Sequence, residues 1–243
     1  MKFKLTYKPY GQHGVLVEWP ASIDEATLND VLWFKSKLNP NATENIVEVR
    51  SSYHSLLIIY SQFETGFDNE VLRLKSIYSS EEKSKKLKST LWHIPVCYDT
   101  QFGVDLESIS KAKNLSEDEI VNLHSQTIYT VYFIGFLPGF LYLGGLDERL
   151  ATPRKATPRL QIGKGSVAIG GNQTGVYPSA SPGGWNIIGN SPVNFFNIKN
   201  ETPCFAKAGD HIKFYSIDLK EHQNIKALVN AGVFQIESEV LDG

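Results

Sequence analysis

The chain has 243 residues, enough for one large domain or two small ones. Hydrophobic residues make up 42% and charged residues 21%, the balance of a globular chain that buries its own core. The net charge of −2 argues against nucleic acid as a main partner, because phosphate binding favours a basic face.

Phe3 to Trp19 holds two extended runs around Gly11 and Gly14, which predicts a hairpin. Ser22-Ile23-Asp24-Glu25 has capping-box spacing. Leu28, Val31, Leu32, Phe34 and Leu38 then recur at helical intervals until Asn39-Pro40. Ile46–Arg50 and Leu56–Tyr60 read as strands, and Asn69–Tyr78 as a second helix with Val71, Leu72 and Leu74 inward. Together these predict a small α+β domain over residues 1–80. Residues 81–90 are polar and lysine-rich with little to bury, and are read as a linker.

The second domain, 91–243, opens with a strand at Trp92–Cys97 and a helical pair near Asp105–Lys113 and Ser116–Ser125. Ser116-Glu117-Asp118-Glu119 is a second capping box. From Tyr129 onward, short β-branched and aromatic runs alternate with Gly and Pro turns, which predicts a closed or nearly closed β-barrel. A last helix is expected at Ile225–Ala231 and a last strand at Gly232–Glu237. The most apolar stretch, Val131–Leu146, is too short and too broken by glycines for a membrane span, and Met1–Tyr10 does not resemble a signal peptide. No membrane partner and a cytoplasmic location are expected. Cys97 and Cys204 form no CxxC pair, so no zinc motif is present, and buried reduced thiols are the simple reading.

Residues 135–189 stand apart. They hold 12 of the 19 glycines and five bases against two acids, three net positive charges in a chain that is −2 overall. Three of the five arginines fall between 149 and 159. Arg154 and Arg159 each close an Ala-Thr-Pro-Arg repeat, where proline stiffens the chain beside a guanidinium suited to carboxylate or phosphate. Pairing of both arginines with surface carboxylates is the competing reading. The Gly170–Pro178 and Ser181–Trp185 segments are turns first and pocket walls second. His124, at a helix end, is either a proton donor or phosphate contact, or a partner of the helix dipole. Gly163–Ala168 fits a loose GxGxxA pattern but lacks a following helix. No Walker loop, nucleophile elbow or HExxH motif occurs, and no metal site is identifiable.

Gly135-Phe136-Leu137-Pro138-Gly139-Phe140 followed by Tyr142–Leu146 resembles the GFxPGFxYLGGL stretch of the family of 5-oxoprolinase B-type subunits, also called the Kip-inhibitor or allophanate hydrolase subunit 1 family. Ala151–Arg159 is similar to its ATPRxATPR motif, Gln173–Pro178 to QTGxYP and Ser181–Trp185 to SPGGW. Ile94–Tyr98 resembles the strand opening the family's C-terminal domain, and His124 sits where the family has a helix-end histidine.

The resemblance implies an α+β N-terminal domain followed by a mainly-β cyclophilin-like barrel domain. It also implies partners: the C-type 5-oxoprolinase subunit in a close pair, together with the A-type one. The implied reaction is ATP-dependent opening of 5-oxo-L-proline to L-glutamate, with ATP as co-substrate of the complex. In the expected pocket, Arg154 and Arg159 pair with a carboxylate or phosphate. Gln173 and Thr174 orient the lactam, His124 moves a proton, and Phe136, Phe140 and Tyr177 line the substrate. Two alternatives follow from the same family. One is an allophanate- or urea-type amide substrate. The other is inhibition of a sensor histidine kinase through an exposed apolar patch of Phe136, Leu137, Phe140, Leu141 and Tyr142.

Overall fold

A computed structural model describes residues 3–38, 45–80 and 88–241. The chain divides into two compact units, residues 1–87 and 88–242.

In the first unit, β1 (Thr6–Tyr10) and β2 (Gly14–Glu18) form the expected hairpin. β3 (Ile46–Ser52) and β4 (Ser55–Tyr60) form another, and β4 joins β2 to give the antiparallel order β1-β2-β4-β3. The two-residue period of a strand sends Val15, Val17, Leu56, Ile58 and Tyr60 to one buried face. Helices α1 (Glu25–Lys37) and α2 (Phe67–Ser79) bring Val31, Phe34, Leu74 and Tyr78 to the same core. The Trp19 indole N–H and the Tyr78 hydroxyl both donate to Asp30 at 2.6 Å, so two large rings are buried with their polar tips satisfied.

Two local expectations are corrected here. Asp24, not Ser22, caps α1: its carboxylate accepts the Thr27 N–H at 2.8 Å. Ser22 lies two residues too early to reach the helix and instead donates to Asp24. Leu72 is 62% exposed. Leu74 and Tyr78 lie four residues apart and share the inner stripe of α2, which turns Leu72 to the opposite side. The Asn39-Pro40 stop signal lies outside the described residues.

The second unit begins with β5 (Ser89–Cys97), α3 (Leu106–Lys113) and α4 (Glu117–Gln126). β6 (Ile128–Ile134), β7 (Leu141–Gly144), β8 (Arg159–Ile162), β9 (Ser166–Gly170), β10 (Gln173–Val176), β11 (Ser181–Gly183) and β12 (Asn186–Asn190) follow. β13 (His211–Ile217), α5 (Leu219–Asn230) and β14 (Ser238–Leu241) complete it. Seven strands close a barrel in the order β12-β9-β10-β7-β6-β13-β5, with β5 returning to β12 at Asn190↔Cys97. β5 and β13 run parallel over Leu91–Cys97, and β14 extends the sheet beside the start of β5. β8 and β11 form a separate two-stranded ribbon.

Ile94, Val96, Tyr129, Val131, Leu143, Val167, Ile169, Ile188, Ile212 and Phe214 fill the barrel, and Leu106, Ile109 and Ile120 of the helical pair pack on the same core. The α4 capping box is present, with Ser116 and Glu119 bonding reciprocally. Of the expected linker, residues 81–87 lie outside the described residues, while Ser89 and Thr90 already belong to β5. The last helix starts six residues before its expected position because Asp218 caps it, accepting the Glu221 N–H at 2.7 Å. The last strand forms at Ser238–Leu241 rather than at 232–237, where pairing with β5 satisfies its backbone.

The cap assignment separates two neighbouring substitutions. Asp24→Ala should cost about 1 kcal/mol in urea unfolding, and Ser22→Ala only a few tenths.

Candidate substrate-binding site

The barrel wall formed by β7, β10, β9 and β12 has two faces, and strand alternation assigns each motif residue to one of them. Val167 and Ile169 point into the barrel core, while Ala168 joins a second cluster with Phe140, Ile162, Tyr177, Trp185 and Ile187. Leu137 and Tyr142 pack against this second cluster. The cluster lies on the outer face, with β8 contributing Ile162.

Glycine makes the close packing there feasible. A Cβ on Gly170 would stand 2.5 Å from the Trp185 indole, and one on Gly175 would stand 3.2 Å from the Phe140 ring. The rings meet edge to face: Phe140–Tyr177 at 5.2 Å, Phe140–Trp185 at 5.5 Å and Phe136–Phe140 at 5.5 Å.

Arg154 stands over this cluster, its guanidinium 5.6 Å from the centre of the Trp185 ring. Its backbone is fixed on both sides. Thr152 and Gly171 exchange two backbone hydrogen bonds of 2.9 and 2.7 Å, the Asn186 amide donates to the Pro153 carbonyl, and the Lys155 N–H donates to the Gly184 carbonyl. Arg50, Arg73, Arg149 and Arg159 each pair with a carboxylate. Among the described residues no carboxylate pairs with Arg154.

Arg159 is engaged differently from Arg154. It makes a bidentate pair with Asp105, at 2.8 and 2.7 Å. Lys155 adds a third contact at 2.8 Å and the Ile187 N–H a fourth at 2.7 Å. Asp105 is 3% exposed. Burial raises its pKa, but the bonds from Arg159, Lys155 and Ile187 outweigh burial and hold the carboxyl below its ordinary range. Sequence spacing marks Asp105 only as the start of a helix. Three arginines in a stretch with two acids are the one available hint that a distant acid must serve them.

His124 and Thr174 belong to the inner face. His124 is fully buried and stacks on Phe214 at 4.8 Å. The Tyr98 hydroxyl lies 2.7 Å from its Nδ1, and Thr174 Oγ1 lies 2.8 Å from its Nε2. The Thr174 hydroxyl donates to the Ala168 carbonyl at 3.1 Å, so its oxygen accepts from Nε2–H and Tyr98 donates to Nδ1. Desolvation lowers the His124 pKa to about 3, which keeps the imidazole neutral. The structure therefore separates Thr174 from Gln173, its neighbour on β10. Gln173 pairs with Gly170 and, by alternation, faces the outer side.

Of the expected site residues, Arg154, Phe136, Phe140 and Tyr177 come together on the outer face, with Gln173 on that side. His124 and Thr174 form an inner pair, and Arg159 is held at the rim by Asp105. Spacing alone gives Trp185 only a turn, yet its indole is the platform under Arg154.

Phe136 is 59% exposed and has φ of +64°, a conformation that a bulky residue rarely adopts. The turn around it is held by Leu137 N–H to Gly135 carbonyl and Phe140 N–H to Leu137 carbonyl bonds. The expected apolar patch is otherwise not exposed. Phe140 and Leu141 are buried, and Leu137 and Tyr142 are half-buried against the outer cluster. An open groove of about 550 Å³ elsewhere in this unit is lined by Asp99, Glu117, Asp118 and Asp218 with Lys220, and its negative field disfavours an anionic ligand.

The family model of the carboxyltransferase domain, subdomain C and D, matches residues 5–206. The B-type subunit of 5-oxoprolinase from Bacillus subtilis is 31% identical over 93% of this chain and 98% of its own length. Its counterpart from Haemophilus influenzae is 41% identical over 80% of this chain and 89% of its own. The chain belongs to the family of 5-oxoprolinase B-type subunits. Among solved structures, TTHA0988 superposes with a TM-score of 0.73 at 29% identity, over 84% of this chain and 40% of that longer one.

Within this family fold, His124 has a pH signature. Its folded pKa lies below the unfolded value of about 6.5, so its contribution is fully present above that pH and is lost as pH falls toward 3. Urea unfolding of the barrel should lose up to about 1.4 kcal/mol per pH unit through His124 between pH 6 and 4, a slope that His124→Gln should flatten. At Phe136 the usual order of small residues should invert, with Phe136→Gly more stable than Phe136→Ala by about 1 kcal/mol in thermal unfolding.

Proposed function

We propose that the chain acts as the B-type component of an ATP-dependent 5-oxoprolinase, working with the A-type and C-type components, and that the outer face of its barrel binds the lactam. Family membership supports the reaction class. The observation that carries the site is Arg154, a guanidinium without a carboxylate partner among the described residues, seated on Trp185 at the edge of an aromatic cluster. We read the second unit as the family's cyclophilin-like domain and the first as its α+β domain.

5-Oxoproline has a carboxylate on a small, flat, largely apolar ring. Arg154 offers that carboxylate two parallel N–H donors, and the exposed Phe136, backed by the buried Tyr177, offers the ring an apolar surface. The lactam carbonyl is resonance-stabilised and resists water. Transfer of the ATP γ-phosphoryl group to its oxygen makes the carbon electrophilic and turns that oxygen into part of a leaving group. The lactam oxygen displaces ADP, one water then opens the C–N bond to leave an acyl phosphate, and a second water cleaves that acyl phosphate. The ring nitrogen leaves as the amine of L-glutamate, and phosphate is released with ADP. This chain's part is to hold the substrate in register for phosphoryl transfer and for the attacking water. We assign the orienting of the lactam to Gln173, which strand alternation puts on the same face. Arg159 supports the rim through Asp105.

The test is 5-oxoproline-dependent ATP hydrolysis and glutamate release with the chain alone, and then with its A-type and C-type partners. Activity is expected only in the full mixture. Arg154→Ala should lower kcat/KM by about ten- to a hundredfold without unfolding the chain, the worth of hydrogen bonds to a charged group. Full activity of Arg154→Ala would sink the site assignment. Turnover of a urea-type amide in place of 5-oxoproline would redirect the substrate reading.

A further inference from the structure

Asp105 occupies the N-cap position of α3, and its carbonyl accepts the Ile109 N–H, yet its side chain makes no capping hydrogen bond to that helix. An N-cap carboxylate normally stabilises its helix by accepting an N–H of the first turn. Both of its oxygens instead turn to the motif segment and the barrel wall. Oδ1 takes Arg159 and Lys155, and Oδ2 takes Arg159 and the Ile187 N–H. The Asp105 N–H in turn donates to the Ile187 carbonyl at 2.9 Å, which locks the acid to β12.

Lys155 directly follows Arg154, and its own N–H is bonded to Gly184, next to Trp185. The C-terminal side of Arg154 is therefore held by one backbone bond and one ion pair that ends on Asp105. The N-terminal side is held by the Thr152–Gly171 bridge.

We propose that Asp105 is a positioning residue for Arg154: by gathering Lys155 and Arg159 on one buried carboxylate, it fixes the Arg154 guanidinium against Trp185 for the ligand's anion. The inference rests on Arg154 being the anion-binding group. A positioning role and a purely electrostatic role have opposite signs. Asp105 cancels part of the positive charge of Arg154, Lys155 and Arg159. If only its charge mattered, removing it would strengthen the local field and tighten anion binding. If it positions Arg154, removing it loosens the clamp and weakens binding.

The experiment uses the complete enzyme complex carrying Asp105→Asn, Arg154→Ala or both, with KM and kcat for 5-oxoproline and thermal unfolding of each. Asp105→Asn should raise KM about tenfold with a smaller change in kcat. The double variant should be no worse than Arg154→Ala alone, because Asp105 acts through Arg154. An unchanged or lowered KM in Asp105→Asn overturns the proposal, as does a double variant whose losses multiply. If Asp105→Asn does not fold, Arg159→Gln leaves the acid bonded to Lys155 and Ile187. It should show the same rise in KM, again non-additive with Arg154→Ala, and an unchanged KM there overturns the proposal. Full activity of Arg154→Ala overturns the anion-binding reading itself, whereas impaired Arg154→Ala with unaffected Asp105→Asn overturns only the positioning role.

Discussion

A closed wall of strands has an inside and an outside, and that constraint organises the second unit. Because successive residues of a strand face opposite ways, each motif residue on β9 and β10 is committed either to the barrel core or to the outer cluster. Val167, Ile169 and Thr174 go in; Ala168, Gly170, Gln173 and Gly175 go out. The inner set must be dry and satisfied, and it is: His124 enters the core only because Tyr98 and Thr174 take both of its ring nitrogens. The outer set is free to leave polar capacity at its edge, and Arg154 does so.

The outer face depends on two kinds of close approach. Glycines at 170 and 175 let the Trp185 and Phe140 rings lie directly on the wall, giving Arg154 a flat apolar platform. The buried carboxylate of Asp105 then ties the basic segment down. A buried ion pair is weak support for stability in itself, since desolvation offsets much of the attraction. Its value here is geometric: a bidentate arginine and a lysine fix directions as well as distances. The strained backbone of Phe136 fits the same pattern, a local cost held in place by the hydrogen-bonded turn around it.

Much of this is legible in the chain alone. The barrel, the α+β unit, the helical pair and the glycine-rich basic segment all follow from periodicity and composition. The family motifs gather Arg154, Phe136, Phe140 and Tyr177 with Arg159, His124, Gln173 and Thr174 in one expected pocket, and only the fold separates the inner His124–Thr174 pair from the outer set. What is not legible has specific causes. Ser22 and Asp24 are both good caps two residues apart, and only the first helical residue decides between them. Leu72 is as apolar as Leu74, and the phase of α2 on its sheet separates them. Gln173 and Thr174 are chain neighbours, and pleating sends them to opposite faces.

Spacing and composition along the chain suffice for the elements, the closed-barrel class, the motif set and the local positive charge, because each of these is a local property. Which basic groups stay free is settled on folding. Asp105 lies 54 residues before Arg159, and no local pattern links them. Barrel closure and the α3–β12 contact bring them together, and that pairing leaves Arg154 as the arginine without a carboxylate among the described residues. Charge pairing across such distances is a property of the folded chain, since the partner of each guanidinium is chosen by packing rather than by position in the sequence.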